Sequence, residues 1–390
     1  MTVESRPTVY ALSSGNPPAA IAIVRVSGPA ADAAVVALAG RLPEPRRATL
    51  ATLRDDAGDL LDTALVLRFP GPDSATGEDL AEFHLHGGRS VVAGVLRALE
   101  RLPGLRAAEP GEFTRRAFEN GRIDLSEAEG LADLLMAETE AQRRAALALM
   151  GGALSRKVED WQRLLALAAR LEAALDFADE GDVGEEMPPG WSEDMDRLVQ
   201  DLSAELERPP IERLREGVRV VIAGPPNAGK SSLLNALAGR EAAITSEIAG
   251  TTRDVIEAPT AIAGSPFLLV DTAGLRESGD RVETIGVERA RASLAAADIV
   301  LWLGDPAACP DRERSVLVHS KTDLTPPPWE ADCAVSAVTG EGIDALIALL
   351  VARAKGLLPR ESDVAINARH RQLLADTLAF LGEAQSTQDL

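Results

Sequence analysis

At 390 residues the chain is too long for one ordinary domain and long enough for two or three with sizeable cores. Hydrophobic residues at 46% and charged residues at 26% give the profile of a soluble globular protein and argue against a disordered or membrane-embedded one. A total of 40 Lys and Arg against 61 Asp and Glu, net −21, argues against a broad electrostatic grip on phosphate backbones, so a nucleic-acid substrate would need a local patch or a partner.

The first 30 residues hold Glu4, an "SSGNPP" turn and Arg25 inside a short apolar run, so no signal peptide is expected. No apolar stretch approaches membrane-spanning length. "AAIAIVRVSG", "ALVLRF" and "AEFHLH" read as strands, and "GPAADAAVVALAG" and "SVVAGVLRALERL" have helical spacing. Residues 1–118 are therefore expected to form a small mixed α and β domain. From Asp124 the Ala-, Leu- and Glu-rich texture without proline is that of long helices, with Ser126 and Glu129 as a capping box and Gly151-Gly152 as the break. An acidic loop, "DFADEGDVGEEMPPG", precedes a further helix over 191–207, and "ERPPIERLREG" reads as a linker. Residues 119–210 thus form a first helical part.

From Val218 strand, loop and helix alternate through "VRVVIAG", "SSLLNALAG", "FLLVDTAG", "ADIVLWLG", "SVLVHSKTD", "CAVSAVTG" and "GIDALIALLVARA". That order predicts an open, doubly wound, mostly parallel sheet with helices on both faces over 211–355, followed by a second helical part over 356–390. The fold class is multidomain, α/β together with all-α. Cys309 and Cys333 have no metal-ligand spacing and suggest neither a disulfide framework nor a redox pair; a reducing cytoplasm fits.

"GPPNAGKS" matches the phosphate-binding pattern GxxxxGKS directly between an apolar strand and a helix. Its glycines, Gly224 and Gly229, let backbone N–H groups close around phosphate oxygens, Lys230 neutralises β- and γ-phosphate charge, and Ser231 offers a hydroxyl to Mg²⁺. The nucleotide contacts expected here are Asn227, Ala228, Gly229, Lys230, Ser231 and Ser232. "SKTD" resembles the NKxD guanine-reading motif, with Lys321 and Asp323 intact and Ser320 in place of asparagine. Ser336 and Ala337 of "SAVTG" resemble the loop whose backbone N–H meets the guanine O6. The first switch loop is expected at "AGTTRD", residues 249–254, with Thr252 chosen for Mg²⁺ and Thr251 as the adjacent alternative, and the nucleotide contacts expected around it are Thr245, Ser246, Glu247, Ile248, Ala249, Gly250, Thr251 and Thr252. Asp271, Thr272, Ala273 and Gly274 follow: Asp271 would hold the metal through water and the Gly274 N–H would meet the γ-phosphate. In the same "DTAGLRE" segment Leu275 stands where many such hydrolases carry a water-orienting glutamine, which leaves open how the attacking water is positioned.

With "PGEFTRRAFENGRIDL" and "HGG" added to these motifs, the chain resembles the MnmE (TrmE) family almost end to end. The resemblance implies a folate-binding and dimerising N-terminal domain, a discontinuous helical domain and a G domain inserted in it. It also implies a homodimer joined to a FAD-dependent MnmG-type protein in a heterotetramer. That complex adds an aminomethyl or carboxymethylaminomethyl group to C5 of the tRNA wobble uridine, using 5-formyltetrahydrofolate or a related tetrahydrofolate. Carried over by motif, K⁺ would meet Asn227, Thr245, Glu247 and Thr251; Glu277 would orient water indirectly; and Arg25, Glu82 and Arg122 would bind folate. The family continues past this region into a Cys-Ile-Gly-Lys tail, whereas this sequence stops at Leu390, so the second helical part is expected to be short of its final helices.

Taken alone, Arg25 reads as a solvated strand residue, Arg122 as a helix-start charge and Glu277 as an exposed loop carboxylate. Glu82, His84 and His86 alternate on one strand in a spacing that also suits a metal, but no further convincing ligand accompanies them. Two rival functions share part of the pattern: a ribosome-assembly switch GTPase, for which no basic patch or aromatic-rich sheet is evident, and a relative that binds GTP and folate without modifying tRNA.

Overall fold

The computed structural model describes residues 6–162, 191–240, 257–272, 291–360, 363, 364 and 366–388. The chain divides into two compact units, Met1–Ala128 and Glu129–Leu390.

In the first unit, a six-stranded sheet has the order β3-β4-β5-β2-β1-β6. Its strands are β1 (Thr8–Leu12), β2 (Ile21–Ser27), β3 (Thr49–Arg54), β4 (Leu60–Phe69), β5 (Leu80–His86) and β6 (Leu105–Ala107). Neighbours are antiparallel except β1 and β6, which run parallel. The period-2 alternation of "AIVRV" and "LAEFHLH" decides which face is dry. Ala22, Val24, Val26, Ala81, Phe83 and Leu85 are buried with Val35 and Leu38 of α1 (Ala31–Ala39) and Val95 and Leu99 of α2 (Arg89–Glu100). Burying a side chain such as Phe83 contributes about 1.5–3 kcal/mol. Arg25, Glu82 and His84 fall on the opposite face.

The segment "GEFTRRAFE" forms α3 (Glu112–Glu119), and its inner face is polar. Arg116, 3% exposed, donates to Glu112 at 2.9 Å, to Glu78 at 2.9 Å and to the Pro7 carbonyl at 2.8 Å. Glu112, 2% exposed, also accepts from Arg106 at 2.6 and 2.8 Å. This network ties α3 to the chain start and to the loop before β5. The unit runs on past 118: Asn120 donates to the Thr76 carbonyl at 2.7 Å, and Arg122 lies against Gly77.

Helix α4 (Leu125–Met136) is capped two residues earlier than expected. Asp124 and Glu127 bond reciprocally through backbone N–H and carboxylate at 2.9 and 2.8 Å, so Ser126 and Glu129 are not the box. Helix α4 ends at Met136, sooner than a break at Gly151-Gly152 alone would give, and the next helix stops at that expected break, with Gly151 as its C-cap. Thr139 and Gln142 form a second capping box at the start of α5 (Glu140–Met150), a cap worth about 1 kcal/mol.

The second unit holds another six-stranded sheet, order β12-β11-β10-β7-β9-β8. Its strands are β7 (Val218–Ala223), β8 (Glu257–Ile262), β9 (Ser265–Asp271), β10 (Ile299–Trp302), β11 (Ser315–Ser320) and β12 (Cys333–Val335). All neighbours are parallel except β8, an antiparallel edge strand that the sequence reading did not anticipate. Val220, Ile222, Leu269 and Leu301 pack against Leu233 and Leu237 of α8 (Lys230–Arg240) and Leu346 and Leu350 of α9 (Ile343–Ala354). Val221, Val270 and Val300 form a separate core on the other face, which is why these strands read as continuous apolar runs.

The presumed linker is partly built into this core: Ile211 and Leu214, the latter on the short α7 (Glu212–Glu216), are buried in it. Gln142 of α5 donates to the Leu214 carbonyl at 3.0 Å. Helical segments from either side of the sheet share one core. Trp161 of the stretch 153–162, Leu198 and Leu202 of α6 (Trp191–Glu207), and Leu381 of α10 (Ala368–Gln388) are buried together.

Candidate functional site

In the second unit, the loop between β7 and α8 turns through positive φ at Gly224 (146°), Asn227 (61°) and Gly229 (86°). Gly224 is required on two grounds. Its φ suits glycine, and a Cβ there would lie 3.0 Å from the Leu303 backbone. Lys230, 7% exposed, donates to the Gly224 and Pro225 carbonyls at 3.2 and 2.8 Å, so its ammonium lies within the loop where phosphate charge would sit. Ser231 donates its hydroxyl proton to Asp271 at the end of β9, bringing the two expected metal-site oxygens into contact across the β7–β9 crossover. Thr272 donates to the Ile222 carbonyl at 2.9 Å and is turned into the sheet.

The guanine-motif residues gather beside this loop. Ser336 donates to Asp323 Oδ1 at 2.6 Å, orienting the carboxylate. Ser320, the departure from asparagine, donates to the Ala228 carbonyl at 2.6 Å, and Lys321 donates to the Asn227 carbonyl at 2.7 Å. Both thus bind consecutive carbonyls of the phosphate loop, a wiring that motif spacing did not reveal. Lys321 itself adopts φ 63°. Ala337 lies in the turn after β12. Thr245, Ser246, Glu247, Ile248, Ala249, Gly250, Thr251, Thr252, Ala273, Gly274 and Glu277 lie outside the described residues.

In the first unit, β2–β5 pairing sets Arg25 opposite Glu82, and Arg25 donates to Glu82 at 2.8 and 3.1 Å. His84 Nε2 lies 3.1 Å from the other Glu82 oxygen. Burial pushes the Glu82 carboxyl up, but the hydrogen bonds and charges of Arg25 and His84 outweigh that and hold it below its ordinary value. His86 pairs instead with Asp62 at 2.8 Å, so the alternating triad divides between two partners. Among the described residues, no group of three or more His, Cys, Asp and Glu side chains is gathered for a metal ion.

Glu82 and Arg122 line one cleft of 520 Å³, together with Arg46, Phe69, Asp73 and Leu80. Arg122 reaches it because Gly77, at φ 77°, has no Cβ; one would meet Asn120 Cβ at 2.9 Å and Arg122 Cγ at 3.2 Å. Sequence reasoning missed Arg46 and Phe69. "EPRRATL" carries no local signal beyond a basic surface run, and only the β4–β5 pairing brings Phe69 to this face. Cys333 is buried, which pushes its thiol pKa up and argues against thiolate reactivity.

A family model described as GTP-binding protein TrmE N-terminus matches residues 8–122, and one described as MnmE helical domain matches residues 125–390. A protein of Erythrobacter litoralis named tRNA modification GTPase MnmE is 57% identical over 385 residues, covering 98% of this chain and 91% of that one. The chain belongs to the MnmE family of tRNA modification GTPases. A second MnmE, from Rhizorhabdus wittichii, is 61% identical over 383 residues, covering 97% of this chain and 86% of that one. Among solved structures, the G domain of the T. maritima FeoB iron transporter is 26% identical, covering 35% of this chain and 98% of that one, at a TM-score of 0.26. GTP hydrolysis is the enzymatic class of the MnmE family. Among the described residues, no helix is long and apolar enough to cross a membrane.

Proposed function

We propose that the chain is a potassium-stimulated, Mg²⁺-dependent GTPase. As a homodimer joined to a FAD-dependent MnmG-type partner, it would act on C5 of the tRNA wobble uridine with a one-carbon unit from a tetrahydrofolate. The observation that carries the nucleotide half is the wiring of Ser320 and Lys321 to the Ala228 and Asn227 carbonyls, which joins a base-reading loop to a phosphate loop. The Glu82 cleft, on the same chain, supports the folate half. Bound tRNA would rest on the partner complex, given the net charge of −21, and a cytoplasmic location accompanies that substrate.

The residues fit the groups this reading requires. Ser231 and Asp271 present paired hard oxygens suited to Mg²⁺, the first directly and the second through water, with Thr252 completing the set. Asn227 is exposed at the loop rim, where its carboxamide can face a cation; Thr245, Glu247 and Thr251 are the further contacts that the family resemblance implies. Bound there, K⁺ supplies the positive charge that an arginine finger provides elsewhere. Lys230 neutralises phosphate charge, and Glu277 positions the attacking water through a second water, the task that Leu275 cannot perform. Glu82 accepts hydrogen bonds from the pterin edge while Arg25 keeps it ionised.

GTP turnover in KCl is expected to exceed that in NaCl by about 10³-fold, the scale of a supplied arginine finger, and Asn227→Ala should erase the difference. Equal wild-type turnover in both salts would end the potassium mechanism. In the same assay, Glu277→Ala should abolish hydrolysis while leaving GTP affinity near that of the wild type; surviving turnover would remove Glu277 from its role.

A further inference from the structure

Arg46 is held in the left-handed region at φ 60°, which non-glycine residues rarely occupy. Its backbone N–H donates to the Arg68 carbonyl at 2.8 Å, so β4 fixes this geometry. Its guanidinium lies 5.8 Å from the Phe69 ring centroid and donates to the Asp73 carbonyl. Arg122 approaches the same residue from another segment, 3.7 Å from the Asp73 carboxylate. Two guanidiniums therefore converge on one aspartate, whose side chain is 78% exposed and screened by solvent.

The charge along the cleft is asymmetric. Glu82 is matched by Arg25 and His84, whereas the Asp73 end carries two cations against one carboxylate. Phe69 stands on the Glu82 face of the sheet, paired with Leu80 two residues along. A ligand suited to this arrangement has a hydrogen-bonding ring at Glu82, an aromatic ring at Phe69 and an anionic tail at the two arginines.

We infer that Arg46 and Arg122 clamp the tail carboxylates of the ligand in this cleft, with Phe69 supporting its aromatic ring. The inference rests on the folate reading and names the subsite for the glutamate moiety. The backbone geometry does not call for arginine at position 46, since glycine adopts φ 60° without strain.

The test is calorimetric titration of the full chain with two probes, 5-formyltetrahydrofolate and its diamide, in which both tail carboxylates are neutralised. Arg46→Gly should weaken binding of the acid by about 10–100-fold, the range for hydrogen bonds to a charged group. The diamide should bind the wild type correspondingly weakly and be indifferent to Arg46→Gly. The thermal midpoint should be unchanged or raised. Unaltered affinity of Arg46→Gly for the acid, or equal loss for both probes, would overturn the clamp; if Glu82→Gln still abolished binding, the cleft assignment would survive. A wild type that binds neither probe, or that binds them independently of Glu82, would overturn the folate reading and the clamp with it.

Discussion

Asp323→Asn is expected to weaken GTP binding by about 10⁴-fold and to transfer preference to xanthosine triphosphate. In the proposed site the Asp323 carboxylate would accept from both the guanine N1–H and the 2-amino group, and Ser336 donates to its Oδ1 at 2.6 Å. The asparagine amide opposes one donor with another, leaving buried polar groups unmatched. Xanthine replaces the 2-amino group by a carbonyl, which the new amide can satisfy. Competition binding and turnover with both nucleotides check this. Unchanged GTP affinity would show that Asp323 does not read the base, and the wiring of Ser320 and Lys321 would then need another purpose.

The second large effect concerns the first unit. Arg116→Ala should destabilise it by about 3–5 kcal/mol, because truncation removes the buried cation shared by Glu112 and Glu78 and leaves them only Arg106 and the Ser27 hydroxyl. Hydrogen exchange on β1 and β2 peptides in the full chain is the appropriate measurement, since it reports this unit separately. Protection equal to wild type would remove Arg116 from the framework.

The same network has a pH signature. Hydrogen bonds from Arg106 outweigh burial and, with the Glu109 N–H and Arg116, hold the Glu112 carboxyl down to about 2 from an ordinary 4.5. A group depressed on folding contributes stability that is complete above its unfolded value and is lost as pH falls through its folded one. Exchange protection, corrected for intrinsic rates, should therefore decline between about 4.5 and about 2 in the wild type and decline less in Glu112→Gln.

Local chemistry made much of the second unit legible. "GPPNAGKS" requires a strand before it and a helix after it, and the apolar runs from Val218 onward describe strands buried on both faces. The edge strand β8 escaped notice because "EAPTAI" contains proline and little apolar weight, both tolerable on an edge. The capping boxes at Asp124 and Thr139 were misplaced or missed because several Ser, Thr, Asp and Glu spacings fit the same pattern, and only backbone direction selects among them. Ser320 departs from the asparagine of the guanine motif. In the fold its hydroxyl reaches the Ala228 carbonyl and ties the base loop to the phosphate loop.

The sequence by itself determined the nucleotide chemistry, because phosphate and base recognition use contiguous residues whose spacing is set by one strand, one turn and one helix. It also determined the dry face of the first sheet, because side chains alternate with period two. Only the tertiary structure decided the cleft. Arg25 meets Glu82 through strand pairing, Phe69 arrives from β4, Arg46 from a loop in left-handed geometry, and Arg122 from beyond α3 across a glycine. Residues so far apart in the chain carry no shared local pattern, and their common site exists only once the sheet has assembled.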